Sequence, residues 1–176
     1  MLVTVLCADG AAGSRKADTR DPSSAVNELR DLVGAHASRF GGGAVRVEGR
    51  RVYVVFDGPA RAIRCGCAIS AEARTSKLTV RVGLHTGECD MVAGVPHGGV
   101  VDVGRRVAAC AKSGEVFVTR TVVDLVAGSG LEFSDRGTHS LSKTHKAWRV
   151  YAASVGEPLG EPAHASRRVR HTTKES

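Results

Sequence analysis

The order in which apolar segments of strand period and helix period follow one another limits what this chain can fold into. Strand-like runs and helical runs alternate as β-α-β-β-α-β, the order of a ferredoxin-like core. The strands are predicted at 2–7, 44–47, 52–56 and 78–88, and the helices at 24–40 and 56–74. The predicted fold class is therefore α/β, an α+β sandwich built on a ferredoxin-like βαββαβ core.

Capping residues mark where the two core helices should begin and end. Ser23 or Ser24 can cap the first helix, and the glycines at 41–43 stop it. Asp57 is placed to cap the second helix, with Pro59 in its first turn.

The second half of the chain adds further elements to this core. They are a connection at 89–98, a helix at 100–112, a strand at 114–120, a helix at 121–130, and a closing antiparallel pair at 131–141 and 147–153. Beyond that pair, Pro, Gly, Glu, His and Arg replace apolar core residues. We therefore predict one domain over 1–153 and a disordered basic tail over 154–176.

Composition excludes several classes of protein. A chain of 176 residues with 42% hydrophobic residues suits one globular domain. It contains no run of about 18 apolar residues, so no membrane segment is expected. The N-terminus resembles no secretory signal, because Asp9 interrupts a short apolar run that lacks a basic start. The five cysteines are odd in number and lie in apolar stretches, which predicts reduced thiols and a cytoplasmic protein.

The charge balance favours an anionic partner. The net charge is +7, of which the segment 155–176, with four basic and three acidic residues, carries only +1. Such a body suits nucleotides or other polyanions, although a merely soluble basic protein has the same balance. Aromatic residues make up only 4%, which argues against a nucleic-acid partner that stacks bases on the sheet.

Several co-linear motifs together resemble one family. VTVLCADGAAGS, FDGPARAIRCGCAI, VRVGLHTGE and the long run from VVDVGRRVAACAK to WRVY are similar to class III adenylate/guanylate cyclase domains, in their bacterial branch. The likeness covers residues 3–153. It implies the class III cyclase fold, in which further C-terminal helices and an antiparallel hairpin extend the ferredoxin-like core.

The resemblance also implies a reaction and an assembly. In this family two protomers associate head to tail, and each site uses residues of both. A 3′-hydroxyl attacks the α-phosphate of ATP or GTP, and pyrophosphate leaves. Two aspartates hold two Mg²⁺ or Mn²⁺ ions that activate the attacking oxygen and clamp the phosphates. An arginine neutralises the charge that develops in the transition state.

The metal and phosphate positions carry over only in part. Asp9 matches the first metal aspartate, although a turn acid would look the same. The loop after it, with Gly13 and Ser14, matches the family's phosphate loop. The alternative is a loop of small residues without a binding role, which would have the same sequence pattern. Arg50 stands where the second metal aspartate belongs, so a cation replaces a metal ligand. Glu48 lies two residues away and would substitute only if the turn were re-registered.

The base-reading and catalytic positions are altered as well. Arg46 and Val95 match the pair that reads the base. Asp102 and Arg106 match the catalytic Asn and Arg of the third helix, four residues apart on one face; a surface ion pair is the alternative. Lys143 is displaced by one residue from the family's phosphate-binding lysine.

Three neighbouring residues are given no chemical role. Arg105 is interpreted as a surface residue, and His85 and Thr86 as structural residues of the strand.

Two functions of different class follow from these matches. The first is a cyclase homology domain with weak or no turnover, a pseudoenzyme that binds nucleoside triphosphate at a homodimer interface or beside another cyclase domain. The second is an active adenylate or guanylate cyclase with Mg²⁺ or Mn²⁺. We favour the first, because losing a metal ligand removes most of a two-metal mechanism. A guanidinium at position 50 would then bind phosphate directly, without metal, and Arg46 and Arg51 would add to the same basic pocket. The alternative is that Arg50 and Arg51 point into solvent and bind nothing.

Overall fold

The computed structural model describes residues 1–10, 21–76, 78–141 and 146–156. Its elements are β1 (Leu2–Gly10), α1 (Pro22–Phe40), β2 (Arg46–Glu48), β3 (Arg51–Phe56), α2 (Pro59–Thr75), β4 (Val80–Glu88), β5 (Asp90–Val92), β6 (Val95–His97), α3 (Gly99–Cys110), β7 (Val116–Thr119), α4 (Arg120–Leu125), β8 (Leu131–Ser140) and β9 (Ala147–Val155).

Seven of the strands form one sheet in the order β2-β3-β1-β4-β7-β9-β8. Its first four strands are antiparallel, the arrangement of a ferredoxin-like core. β7 then joins β4 in parallel, and the β8–β9 pair closes the sheet. The predicted fold class is confirmed, including the C-terminal additions to the core.

The interior strand β1 is buried on both faces, which explains why most of its residues are apolar. Leu6 and Ala8 point into the core beneath α1 and α2. Val3, Val5 and Cys7 point the other way, toward α3, because successive side chains alternate across a strand. We call the second surface of the sheet the α3 face.

Small residues let α3 lie unusually close to the sheet. A Cβ built on Gly83 of β4 would be 2.1 Å from the backbone nitrogen of Ala108 and 2.6 Å from its Cα. One on Gly104 of α3 would lie 3.5 Å from Val5. The helix is therefore held in a fixed position across β1 and β4.

The helix caps differ from the prediction. The cap of α1 is Asp21, whose Oδ1 accepts from the backbone N–H of Ser23 at 3.2 Å, so neither serine is the cap. The cap of α2 is Gly58, and Asp57 instead pairs with Arg61 one helical turn later. The prediction of Asp57 as a cap was wrong, because its carboxylate is drawn to a nearby cation rather than to the backbone.

The predicted connection at 89–98 contains structure of its own. β5 and β6 form a β-hairpin with a two-residue turn, in which Ala93 has φ 49° and Gly94 has φ 73°. Near the C-terminus, β9 includes Ser154 and Val155, two residues assigned in advance to the tail. Residues 157–176 lie outside the described part of the chain.

Candidate functional site

Asp9 lies at the end of β1 between two arginines. The register places it directly opposite Arg51 of β3 and Arg81 of β4, so all three side chains emerge on the α3 face. Its Oδ2 accepts from Arg81 Nη2 at 3.0 Å and lies 3.6 Å from Arg51 Nε. The Asp9 side chain is only 4% exposed, and its Oδ1 has no hydrogen-bond partner in the described part of the chain.

This arrangement does not fit a divalent metal ion. Mg²⁺ and Mn²⁺ prefer several oxygen ligands around one centre, whereas the ionic partners of the Asp9 carboxylate among the described residues are guanidinium groups. No group of three His, Cys, Asp or Glu side chains that could hold a metal occurs in the described ranges. Within the described residues, the Asp9 carboxylate is the anionic partner of two cations.

Arg50 occupies the exposed turn between β2 and β3, as the resemblance places it. The turn depends on Gly49, whose φ is 59°. An open cavity of about 320 Å³ separates this turn from the start of α1, and it is lined by Pro22, Ser23, Val26, Asn27, Gly49 and Arg50. A cation with space around it therefore stands at the turn to which the resemblance assigns the second metal aspartate.

Glu48, the possible substitute ligand, is already engaged. Its carboxylate pairs with Arg105 of α3, which also reaches Asp102 Oδ1 at 3.4 Å and lies over the Tyr53 ring at 6.0 Å. The Arg105 side chain is only 25% exposed. The interpretation of Arg105 as a surface residue was therefore wrong; it ties α3 to the β2–β3 hairpin.

Arg106 and Asp102 lie on the outer surface of α3. Gly104 and Ala108 face the sheet. Arg106 is two residues from each of them, which is about 200° around the helix axis, so its side chain points away from the sheet. Asp102 bonds to Arg105 rather than to Arg106, so the predicted alternative of an i,i+4 ion pair is wrong. Arg106 is half-buried, and within the described ranges no hydrogen bond or ion pair engages it.

The two predicted base-reading positions come together. Arg46 Nη2 donates to the carbonyl of Gly94 at 2.7 Å, and Val95 follows Gly94 at the start of β6. The contact joins β2 to the β5–β6 hairpin. One N–H donor of Arg46 is therefore occupied by the backbone and is not available to a base, and Val95 has only an apolar side chain.

Three predicted phosphate-binding residues cannot be placed. Gly13, Ser14 and Lys143 lie outside the described residues.

The buried polar residues of β4 are structural, as expected. Thr86 Oγ1 lies 2.8 Å from Thr4 Oγ1, and His85 Nδ1 lies 2.9 Å from Thr119 Oγ1. Trp148 packs edge-on against the His85 ring at 5.3 Å. Burial lowers the pKa of His85 to about 4, so the imidazole is neutral at physiological pH.

All five thiols are free, and the fully buried Cys7 and Cys65 lack the properties of a nucleophile. Cys7 lies near Asp9 on the α3 face, and burial raises its pKa to about 12. Burial raises the pKa of Cys65 to about 12 as well. A thiol in this state is protonated and unreactive at neutral pH.

Sequence reasoning placed Arg51 in a basic pocket around Arg50 but missed Arg81 and Arg105 as neighbours of the Asp9 and Glu48 carboxylates. Each lies in an otherwise ordinary amphipathic segment, and no local motif marks it. The available signal was the strand register: once β1 pairs with β3 and β4, Asp9 must lie opposite Arg51 and Arg81.

Solved structures of nucleotide cyclases share this fold. The adenylate/guanylate cyclase/hydrolase from Silicibacter pomeroyi is 23% identical, with a TM-score of 0.74 over 87% of this chain and 96% of that one. The adenylyl cyclase CyaB from P. aeruginosa is 17% identical, with a TM-score of 0.75 over 87% and 93%. The guanylate cyclase domain of RhGC from Catenaria anguillulae, in complex with GTP, is 18% identical, with a TM-score of 0.73 over 89% and 97%.

Sequence comparison adds nothing to this structural likeness, since neither a protein-family model nor a curated protein sequence matches the chain. The comparisons thus establish the fold of a class III cyclase domain. In the described part of the chain, no helix combines the length and apolar character needed to cross a membrane.

Proposed function

We propose that this chain is a class III cyclase homology domain that binds nucleoside triphosphate at a dimer interface, with weak or no turnover. One observation carries the proposal: the Asp9 cluster and Arg106 face different directions. Asp9 is part of the sheet and lies beneath the C-terminal end of α3, whereas Arg106 points outward from that helix. A site that uses both residues needs α3 of a second chain.

The charges around Asp9 support low turnover. Two-metal catalysis needs carboxylates free to coordinate both ions. Here Asp9 and Glu48 are paired with arginines, and Arg50 replaces the second aspartate. ATP and GTP are the candidate ligands, because one cyclase of this fold was solved with GTP and another with ATPαS. The five free thiols fit a cytoplasmic setting.

We expect purified protein to release little or no cyclic AMP or cyclic GMP above a protein-free background when incubated with ATP or GTP and Mn²⁺. The physical reason is that a guanidinium cannot coordinate the attacking 3′-oxygen and lower its pKa as a metal ion does. Chromatographic separation of the products checks this. Robust Mn²⁺-dependent product would contradict the proposal, and would make Glu48 or Asp102 the substitute ligand.

We expect the chain to form a dimer in solution. Size-exclusion chromatography with light scattering over a concentration series should show a mass near twice 18.4 kDa at high micromolar concentration. A purely monomeric protein over that range would contradict a homodimer. A head-to-tail pair with an intact cyclase domain, which could supply the missing aspartate, would then be the assembly to test.

A further inference from the structure

We propose that Asp9 acts as a counter-ion for Arg51 and Arg81 and not as a metal ligand, so that this cluster binds polyphosphate without a divalent cation. The inference rests on the proposed function and specifies that the Asp9 cluster recognises the phosphate chain of the ligand. It follows from the disagreement between the metal ion expected at Asp9 and the two arginines found there.

The register of the sheet builds the cluster. β1 lies between β3 and β4, and both neighbours present an arginine at the position opposite Asp9. The two guanidinium groups converge on the same oxygen, Oδ2. Arg81 is fixed further by donation from Nη1 to the carbonyl of Ala109 at 3.2 Å, at the end of α3.

Exposure decides what solvent and ligands meet at this site. The side chain of Arg51 is 44% exposed and that of Arg81 27%, against 4% for Asp9. An approaching ion therefore meets guanidinium groups before it meets the carboxylate. A divalent cation would be repelled by both arginines as it approached the carboxylate, whereas an anion would meet N–H donors of Arg51 and Arg81.

Donors remain available for such an anion. Arg51 directs its Nε toward Asp9, which leaves both terminal nitrogen atoms without a partner within the described ranges. The guanidinium fork matches two oxygens of a phosphate group. Two arginines against one carboxylate leave a charge of +1, and Arg50 adds another at the adjoining turn. Arg105 is shared by Glu48 and Asp102, so these three residues carry a charge of −1 and the region as a whole keeps +1.

The chemistry selects a linear polyphosphate, whether free or as the phosphate chain of a nucleotide. The decisive variant is Asp9→Asn, which keeps an oxygen acceptor for Arg81 but removes the negative charge. Calorimetric titration with inorganic tripolyphosphate, in buffer containing EDTA, should show affinity rising about threefold, because one nearby repulsive charge has gone. A metal-binding aspartate predicts the opposite sign, a loss of binding that occurs only when Mg²⁺ is present.

Arginine variants test the same point without altering the buried carboxylate. Arg51→Met, at an exposed position, should weaken metal-free tripolyphosphate binding about tenfold through loss of a charged hydrogen bond. The matched control is Arg136→Met, which removes an arginine paired with Glu115 at the far edge of the sheet and should leave affinity unchanged. Equal affinity in wild type and Arg51→Met would overturn the inference even if Asp9→Asn failed to fold.

Titrating Mn²⁺ into wild type and Asp9→Asn, followed by electron paramagnetic resonance, provides a readout independent of nucleotide. We expect neither protein to deplete the free Mn²⁺ signal; Mn²⁺ bound by wild type and released by Asp9→Asn would overturn the inference. A different outcome would contradict the proposed function alone. If the protein bound tripolyphosphate but neither ATP nor GTP, nucleotide binding would be disproved while the metal-free phosphate site would stand.

Discussion

The Gly83→Ala variant is expected to lose at least about 3 kcal/mol of folding stability, an effect at the upper end for overpacked sites. The new Cβ would lie 2.1 Å from the backbone nitrogen of Ala108 and 2.6 Å from its Cα. These obstacles are backbone atoms of a helix, so no side-chain rotation can relieve the overlap. Either α3 must move away from β4, or β4 itself must bend. Urea unfolding followed by circular dichroism measures the loss.

Gly99→Ala is the matched control. A Cβ at Gly99 would meet no atom within 4 Å, and the residue begins the same helix. Its free energy of unfolding should change by less than about 0.5 kcal/mol. If Gly83→Ala were as stable as Gly99→Ala, the close packing of α3 on β4 would be disproved.

Most of the fold could be predicted from the sequence because its signals are local. The apolar run of β1 and the helical spacing of Leu29, Leu32 and Val33 are readable in short windows. The β5–β6 hairpin was missed because its turn, Ala93–Gly94, lacks the usual Asn-Gly or Asp-Gly pair.

The candidate site was less predictable, because its contacts span long sequence separations. Asp9 meets Arg81 across 72 positions, a pairing that becomes visible only when two strands are placed in register. Arg106 was assigned through the family resemblance, but the partner of Asp102 was not predictable from the sequence. Helical spacing allows either Arg105 or Arg106 to pair with it, and the contact of Arg105 with Glu48 and Tyr53 favours Arg105.

Folding stability should fall by about 2 kcal/mol between pH 7 and pH 5 because of His85. Burial lowers its pKa from 6.5 to about 4 in the folded protein, while the unfolded chain keeps the ordinary value. Stability from the neutral imidazole is therefore fully present above pH 6.5. This contribution is lost as the pH falls toward 4, because His85 becomes protonated in the unfolded state while it stays neutral in the folded state. Urea unfolding at several pH values in this range measures the slope.

Replacing the imidazole isolates its contribution. His85→Gln can still bond to Thr119 but cannot take up a proton, so its stability should stay nearly constant between pH 7 and pH 5. His97→Gln, which removes an exposed imidazole at the end of β6, should keep the wild-type slope. A wild-type slope retained in His85→Gln would show that another group titrates there. It would also mean that the imidazole beneath α3 is not held neutral by its burial against Trp148.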